Sequence, residues 1–193
     1  FIEEVFSFDI DLEIKNINSK NKLTINEKTS DIPKIKSTEP LEELESMYSA
    51  LKLGLSDYVE KNNFEKVLVG ISGGIDSALT ATIAVDSLSS KNVIGVAMPS
   101  RFNPASSLKD AEELAKKLNI ELKTINIEET AEKFKELIGL NIEDNLESVV
   151  KENIQARIRG NILMALSNQL GAMVVSTGNK SEMAVGYSLY MGI

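Results

Sequence analysis

Val67-Leu68-Val69-Gly70-Ile71-Ser72-Gly73-Gly74-Ile75-Asp76-Ser77-Ala78-Leu79 is the stretch whose reading decides the fold. An apolar, partly β-branched run that stops at paired glycines and resumes as Asp-Ser-Ala-Leu reads as a buried strand, a tight loop and a helix start. That geometry turns backbone N–H groups and a helix N-terminus toward one point, where an anion such as phosphate is stabilised. Gly-Lys-Ser/Thr does not follow, so the loop is not a Walker A loop, and Gly-x-Gly-x-x-Gly is absent, so it is not the usual dinucleotide fingerprint.

Downstream, strand and helix patterns alternate. Strands are expected at Val67–Ile71, Val93–Ala97, Glu121–Ile125 and Met173–Ser176, with helices at Asp76–Ser87, Leu108–Leu118, Glu129–Ile138 and Asn145–Leu170. Short connections between such elements predict an α/β fold, a doubly wound, mostly parallel sheet with helices on both faces, whose ligands bind beyond the carboxyl ends of the strands. Before the first strand, Leu41, Leu44, Tyr48, Leu51, Leu55, Tyr58 and Val59 recur at helical spacing after Pro40, so a helix packing that face into the core is expected. Residues 14–40 are rich in Lys, Asn, Ser, Thr and Glu and suit a linker.

Composition narrows the chemistry. The chain has 193 residues, 42% hydrophobic, enough for about one domain plus an extension. A net charge of −8 disfavours a nucleic-acid surface, which needs clustered Lys and Arg. No apolar stretch approaches the ~20 residues of a membrane span, so no membrane partner and a cytoplasmic setting are expected. With no Cys and no His, thiolates, disulfides, structural zinc and the common neutral-pH base are excluded. Chemistry here must rest on carboxylates, Lys, Arg, backbone dipoles and a hard cation.

The unusual clusters follow strands: Ser72–Ser77, then Met98-Pro99-Ser100-Arg101, then Thr177-Gly178-Asn179-Lys180-Ser181-Glu182. Gly73 and Gly74 remove side chains where backbone approaches phosphate, and the hydroxyls of Ser72 and Ser77 add donors. Asp76 repels phosphate directly, so its role is to hold Mg²⁺ that bridges phosphate oxygens. Glu182 suits a second Mg²⁺ ligand, or an acid favoured by the dipole in a first helical turn. Thr177 suits a helix cap or a nucleotide contact. Along Glu152–Gly160 the pairs Asn153/Arg157 and Gln155/Arg159 lie on roughly opposite faces, with Ile154, Ile158 and Ile162 between them. Asn153 with Arg157 is taken as the pair facing the site, a fork for an anionic, hydrogen-bonding substrate. Arg101–Ser107 is expected to be a mobile lid, since Asn103-Pro104-Ala105-Ser106-Ser107 lacks apolar anchors and follows a strand end.

Together these motifs resemble NAD synthetase. The likeness lies in Gly70–Ser77 (GISGGIDS), Met98–Ser100 with Ser106-Ser107 and Asp110-Ala111, Glu152–Gly160 (ENIQARIRG), Met164–Asn168 (MALSN) and Thr177–Tyr187 (TGNKSEMAVGY). The loop is similar to the pyrophosphatase-type loop of enzymes that split ATP between its α and β phosphates. The wording resembles the glutamine-dependent type, and Phe1–Leu12 is similar to the tail that joins its glutaminase domain to the synthetase domain.

The resemblance implies an adenine nucleotide alpha hydrolase-like, Rossmann-like fold and an ATP-dependent amidation of deamido-NAD, with AMP and pyrophosphate released and nitrogen taken from ammonia or glutamine. It implies ATP contacts from Gly70, Ile71, Ser72, Gly73, Gly74, Ile75, Asp76, Ser77 and Thr177. Mg²⁺ would be held by Asp76 and Glu182, the catalytic pair, and deamido-NAD by Asn153, Arg157 and Glu182. Residues 1–40 would be the tail of a preceding domain and 41–193 the ATP-binding domain. The family's usual Gly-Tyr-Ser-Thr-Leu-Tyr-Gly-Asp gives way here to Gly186-Tyr187-Ser188-Leu189-Tyr190-Met191-Gly192-Ile193, so that domain is expected to be C-terminally incomplete. A homodimer is expected from the apolar faces of the long helices. The competing readings are a GMP-synthetase-like amidotransferase with the same loop and a catalytically incomplete nucleotide-binding module.

Overall fold

The computed structural model describes residues 41–101, 103–139 and 147–184. The linker expected at 1–40 and the divergent end at 185–193 lie outside the described residues. Helix α1 (Glu43–Lys61) leads into β1 (Val67–Gly70), α2 (Ile75–Leu88), β2 (Val93–Ala97), α3 (Ala105–Leu118), β3 (Glu121–Thr124), α4 (Glu128–Leu137), α5 (Glu147–Leu170), β4 (Met173–Val175) and a short α6 (Lys180–Ala184). The strands form one parallel sheet in the order β3-β2-β1-β4. The expected doubly wound sheet is therefore the observed one.

Period-two side-chain alternation assigns each strand residue to one of two cores. Leu68, Ile94 and Val96 pack with Ile127 and Ala131 beside α4 and with Ile154, Ile158 and Leu163 of α5. Val67, Val69, Val93 and Ala97 pack on the other face with Val59 of α1, Ala81 and Ala84 of α2 and Ala111 of α3. At Gly95 of β2 a Cβ would lie 2.6 Å from Ile71 Cδ1 and 3.1 Å from Leu122 Cδ1, so a side chain there requires those neighbours to shift. The chain builds outward from β1 to β2 and β3, then returns to place β4 on β1's other side. This is the topological switch at which an open α/β sheet leaves a crevice.

Two expectations change. Helix α3 begins at Ala105, three residues before the expected Leu108, because Pro104 with φ −54° stands at the N-cap and its fixed φ leads into the helix. The apolar face of α1 is largely in water: Leu44 is 81%, Met47 54%, Leu51 55% and Tyr58 59% exposed, and only Val59 is buried. The helix is held to α2 instead, where Tyr48 Oη donates to Asp86 Oδ2 at 2.7 Å.

Leu68 is fully buried and pairs with Ile94 on one side and Val174 on the other. Leu68→Ala is expected to cost about 2–5 kcal/mol, the lost transfer energy plus the cavity left in a sheet that cannot collapse locally. Urea unfolding followed by circular dichroism measures it.

Candidate functional site

A cavity of about 580 Å³ opens at the carboxyl ends of β1, β2 and β4. Its floor is Gly70–Ser72 and Val96–Ser100, its sides are Asn103–Ala111 of the β2–α3 segment and Ala156, Arg159 and Leu163 of α5, and Val175–Gly178 with Glu182 close it. The three clusters that the sequence places after strands thus meet at one opening.

The glycine-rich loop is held by its own serines. Ser77, nearly buried, donates its hydroxyl to Gly74 O at 3.0 Å and accepts from Ser72 N–H at 3.2 Å, while Ser72 Oγ accepts from Gly74 N–H at 3.2 Å. Ser77 is therefore spent on the loop itself, whereas Ser72 is exposed toward the cavity. The first backbone bond of α2 runs from Ala78 N–H to Gly74 O, which leaves the N–H groups of Ile75, Asp76 and Ser77 without intrahelical partners. Those donors stand at the positive end of α2, a position at which an anion is stabilised. Gly73 has φ +83°, and a Cβ there would lie 2.5 Å from Ser107 O. The loop is seated directly on the first turn of α3.

Asp76 and Glu182, from different strand ends, are linked by one side chain. Asn179 Nδ2 donates to Asp76 Oδ2 at 3.1 Å, and Asn179 N–H donates to Glu182 Oε2 at 3.0 Å. Glu182 N–H in turn donates to Asn179 Oδ1 at 2.9 Å, a reciprocal cap at the start of α6. Glu182 thus stands in the capped first turn of α6 and lines the cavity. Asn179 is a functional residue that the sequence reading passed over, although its three-residue spacing from Glu182 is the signal of such a cap. Thr177 is half-buried in the cavity wall.

On α5 the structure sets Arg159, and not Arg157, on this cavity. Gln155 is buried and Arg159 lines the cavity, whereas Arg157 is exposed and Asn153 half-buried, and neither lines it. Ser100 Oγ lies 3.0 Å from Gln155 Oε1 and 2.9 Å from Asn103 Oδ1, and Arg159 donates to Met98 O at 3.2 Å and Asn103 Oδ1 at 3.1 Å. The three isoleucines between the polar faces do not distinguish them, because both faces carry the same kind of polar pair.

The same network ties down part of the segment read as a lid. Asn103 is tied to Ser100 and Arg159, and Arg101 to Glu128 and Glu132, with Arg101 Nε 3.0 Å from Glu128 Oε1. Residues 105–107 are helical. What reads as a loop without apolar anchors has polar ones.

Residues 47–192 match the family model for NAD synthase. The chain belongs to the NAD synthase family. A glutamine-dependent NAD(+) synthetase from Thermotoga maritima is 40% identical over 213 residues, covering all of this chain and 36% of that protein. The glutamine-dependent NAD+ synthetase of Acinetobacter baumannii, solved with adenosine diphosphate, superposes with a TM-score of 0.74 at 39% identity over 79% of this chain and 29% of that one. NMN synthetase from Francisella tularensis superposes at 0.67 with 35% identity over 74% and 58%. The chain thus spans about a third of the length of the curated relative from Thermotoga. The family match removes the GMP-synthetase-like alternative. No described helix is long and apolar enough to cross a membrane.

Gly73→Ala is expected to destabilise the chain by about 1–3 kcal/mol, because it adds left-handed strain and pushes a Cβ into backbone rather than into a flexible side chain. Gly74→Ala, whose Cβ would meet only Ser72 Oγ at 3.3 Å, is expected to cost less. Denaturation midpoints of the two variants, compared at equal m-value, check the order.

Proposed function

We propose that this chain is the ATP-using part of an enzyme that amidates deamido-NAD to NAD through an acyl adenylate. The observation that carries the reading is the convergence of the Gly70–Ser77 loop, Thr177 and Glu182 on one cavity within the NAD synthase match. ATP is placed with its phosphates on the loop amides and Ser72. The nicotinate carboxylate oxygen attacks the α-phosphorus, the bond to the α–β bridging oxygen breaks, and pyrophosphate leaves. Ammonia, free or derived from glutamine, then attacks the activated carbonyl carbon, AMP departs with the carboxylate oxygen, and the nitrogen loses a proton. Attack of an anion on a polyanion is slow in water, and aimed N–H donors offset the charge that builds up.

A hard cation fits the donor set. Asp76 and Glu182 supply oxygen ligands from two strand ends joined by Asn179, and no larger cluster of acidic ligands occurs among the described residues. Mg²⁺ is commonly held by one or two carboxylates plus substrate phosphates, which is this arrangement. Bound there, it would neutralise phosphate charge; Asp76 and Glu182 would hold it, and Asn179 would orient both.

Asn153 and Arg157 are retained as deamido-NAD ligands, supported by their place in the ENIQARIRG segment, though on the face of α5 away from this cavity. A homodimer is supported by the exposed apolar stripe of α1, which a symmetric partner would cover. We place the enzyme in the cytoplasm, residues 1–40 as the tail of a preceding domain and 41–193 as the ATP-binding domain. The Thermotoga alignment, which spans this whole chain within a longer protein, supports that division. The likeness to NMN synthetase makes nicotinate mononucleotide the rival substrate.

Pyrophosphate release is expected on adding ATP, Mg²⁺ and deamido-NAD, and faster than with nicotinate mononucleotide. Release that is faster with the mononucleotide would transfer the reading to that substrate. ATP binding without release on either would leave only the nucleotide-binding module. Asp76→Asn is expected to slow release about 100-fold or more with an unchanged circular dichroism spectrum.

A further inference from the structure

Among the described residues Arg159 has no carboxylate partner for its charge. Nε donates to Met98 O at 3.2 Å, and Nη2 donates to Asn103 Oδ1 at 3.1 Å and Gln155 Oε1 at 3.3 Å. All three acceptors are neutral amide oxygens, and Nη1 takes part in none of these bonds. Among the described residues no carboxylate forms an ion pair with it, whereas Arg101, Lys123 and Lys135 each have a glutamate. Burial draws its pKa below the ordinary guanidinium value. Removing a cation from water without a counter-charge is costly. That cost is offset when the missing anion arrives as a ligand.

The cavity supplies the route. It runs from Arg159 on α5 across to Ser72 at the start of the phosphate loop and to Thr177. A nucleotide whose phosphates lie on that loop brings a high density of negative charge into this space. We propose that Arg159 is an anion-binding residue of the nucleotide cavity, exchanging a neutral amide partner for a phosphoryl oxygen of the bound nucleotide. This rests on the nucleotide reading above and adds a residue to it. An arginine suits the role because its planar fork keeps one edge on Met98 O and Asn103 while another turns to the ligand. The rival is a fixed strut that only fastens α5 to the β2–α3 segment.

Isothermal titration of the full chain with ATP and with uncharged adenosine separates the two. Arg159→Met is expected to weaken ATP about tenfold or more and adenosine less than about twofold, because only the charged ligand loses a charge-assisted bond. Equal losses for both ligands, or no loss for ATP, overturn the proposal in favour of the strut. Arg159→Lys keeps the charge and guards against a variant that does not fold. It is expected to fall between wild type and Arg159→Met for ATP with adenosine unchanged, and a loss shared by both ligands overturns the proposal here too. Wild-type chain that binds neither ligand refutes the nucleotide reading itself, a result seen before any variant is made.

Discussion

Burial of β1 on both faces is the constraint from which the rest of the molecule follows. Val67, Leu68 and Val69 retain no exposure, so β1 needs a strand on each side for its backbone groups and a helical layer above and below for its side chains. The chain meets the first need by laying β2 on one side and returning β4 to the other. It meets the second with α1, α2 and α3 against Val67 and Val69, and α4 and α5 against Leu68. The two directions of winding part above the carboxyl end of β1. An opening forms there because no connection crosses it, and the Gly70–Ser77 loop stands at its edge.

That opening is fixed by one close backbone contact and by polar side-chain bonds. Gly73 lies against Ser107 O so closely that no other residue fits without movement of α3, and Ser77 is consumed in bonding the loop to itself. The β2–α3 segment is then pinned from two sides, by Arg159 through Asn103 and by Glu128 through the backbone N–H and guanidinium of Arg101. A cavity with walls held in this way places donors before a ligand arrives, so little of the binding energy goes into ordering the site.

Much of this was legible in the sequence, and the misses have physical causes. Strands β1 and β2 are apolar runs with no helical competitor, and the glycine pair after β1 has one sensible geometry, so the sheet and the phosphate loop could be read directly. Periodicity gives a helix and its apolar side but not the partner of that side. This is why α1 was expected to bury Leu44 and Leu51 and instead exposes them. On α5, Gln155/Arg159 and Asn153/Arg157 are equivalent polar pairs in one dimension, and only the three-dimensional path of β2 and its loop sets Arg159 on the cavity and Gln155 buried against Ser100. Asn103 and Asn179 were unremarkable in composition. Their importance comes from partners 56 and 103 residues away, Arg159 and Asp76, at separations that spacing arguments do not reach.

Charge poses the last question, since a chain of net charge −8 is read as binding a polyanion. Distance settles which effect wins. At physiological ionic strength charges on the surface are screened over about 8 Å, so the diffuse acidic excess acts mainly on approach and weakly on a ligand already seated. The orphan N–H groups of α2 and the half-buried Arg159 act within hydrogen-bonding distance and in a partly desolvated space, where the same charge interacts several times more strongly. Acidic residues near the site are also the ones a hard cation needs, and Asn179 holds two of them together instead of letting them part. For the proposed nucleotide the net charge would therefore bear on how fast it arrives, while the local donors would decide whether it stays.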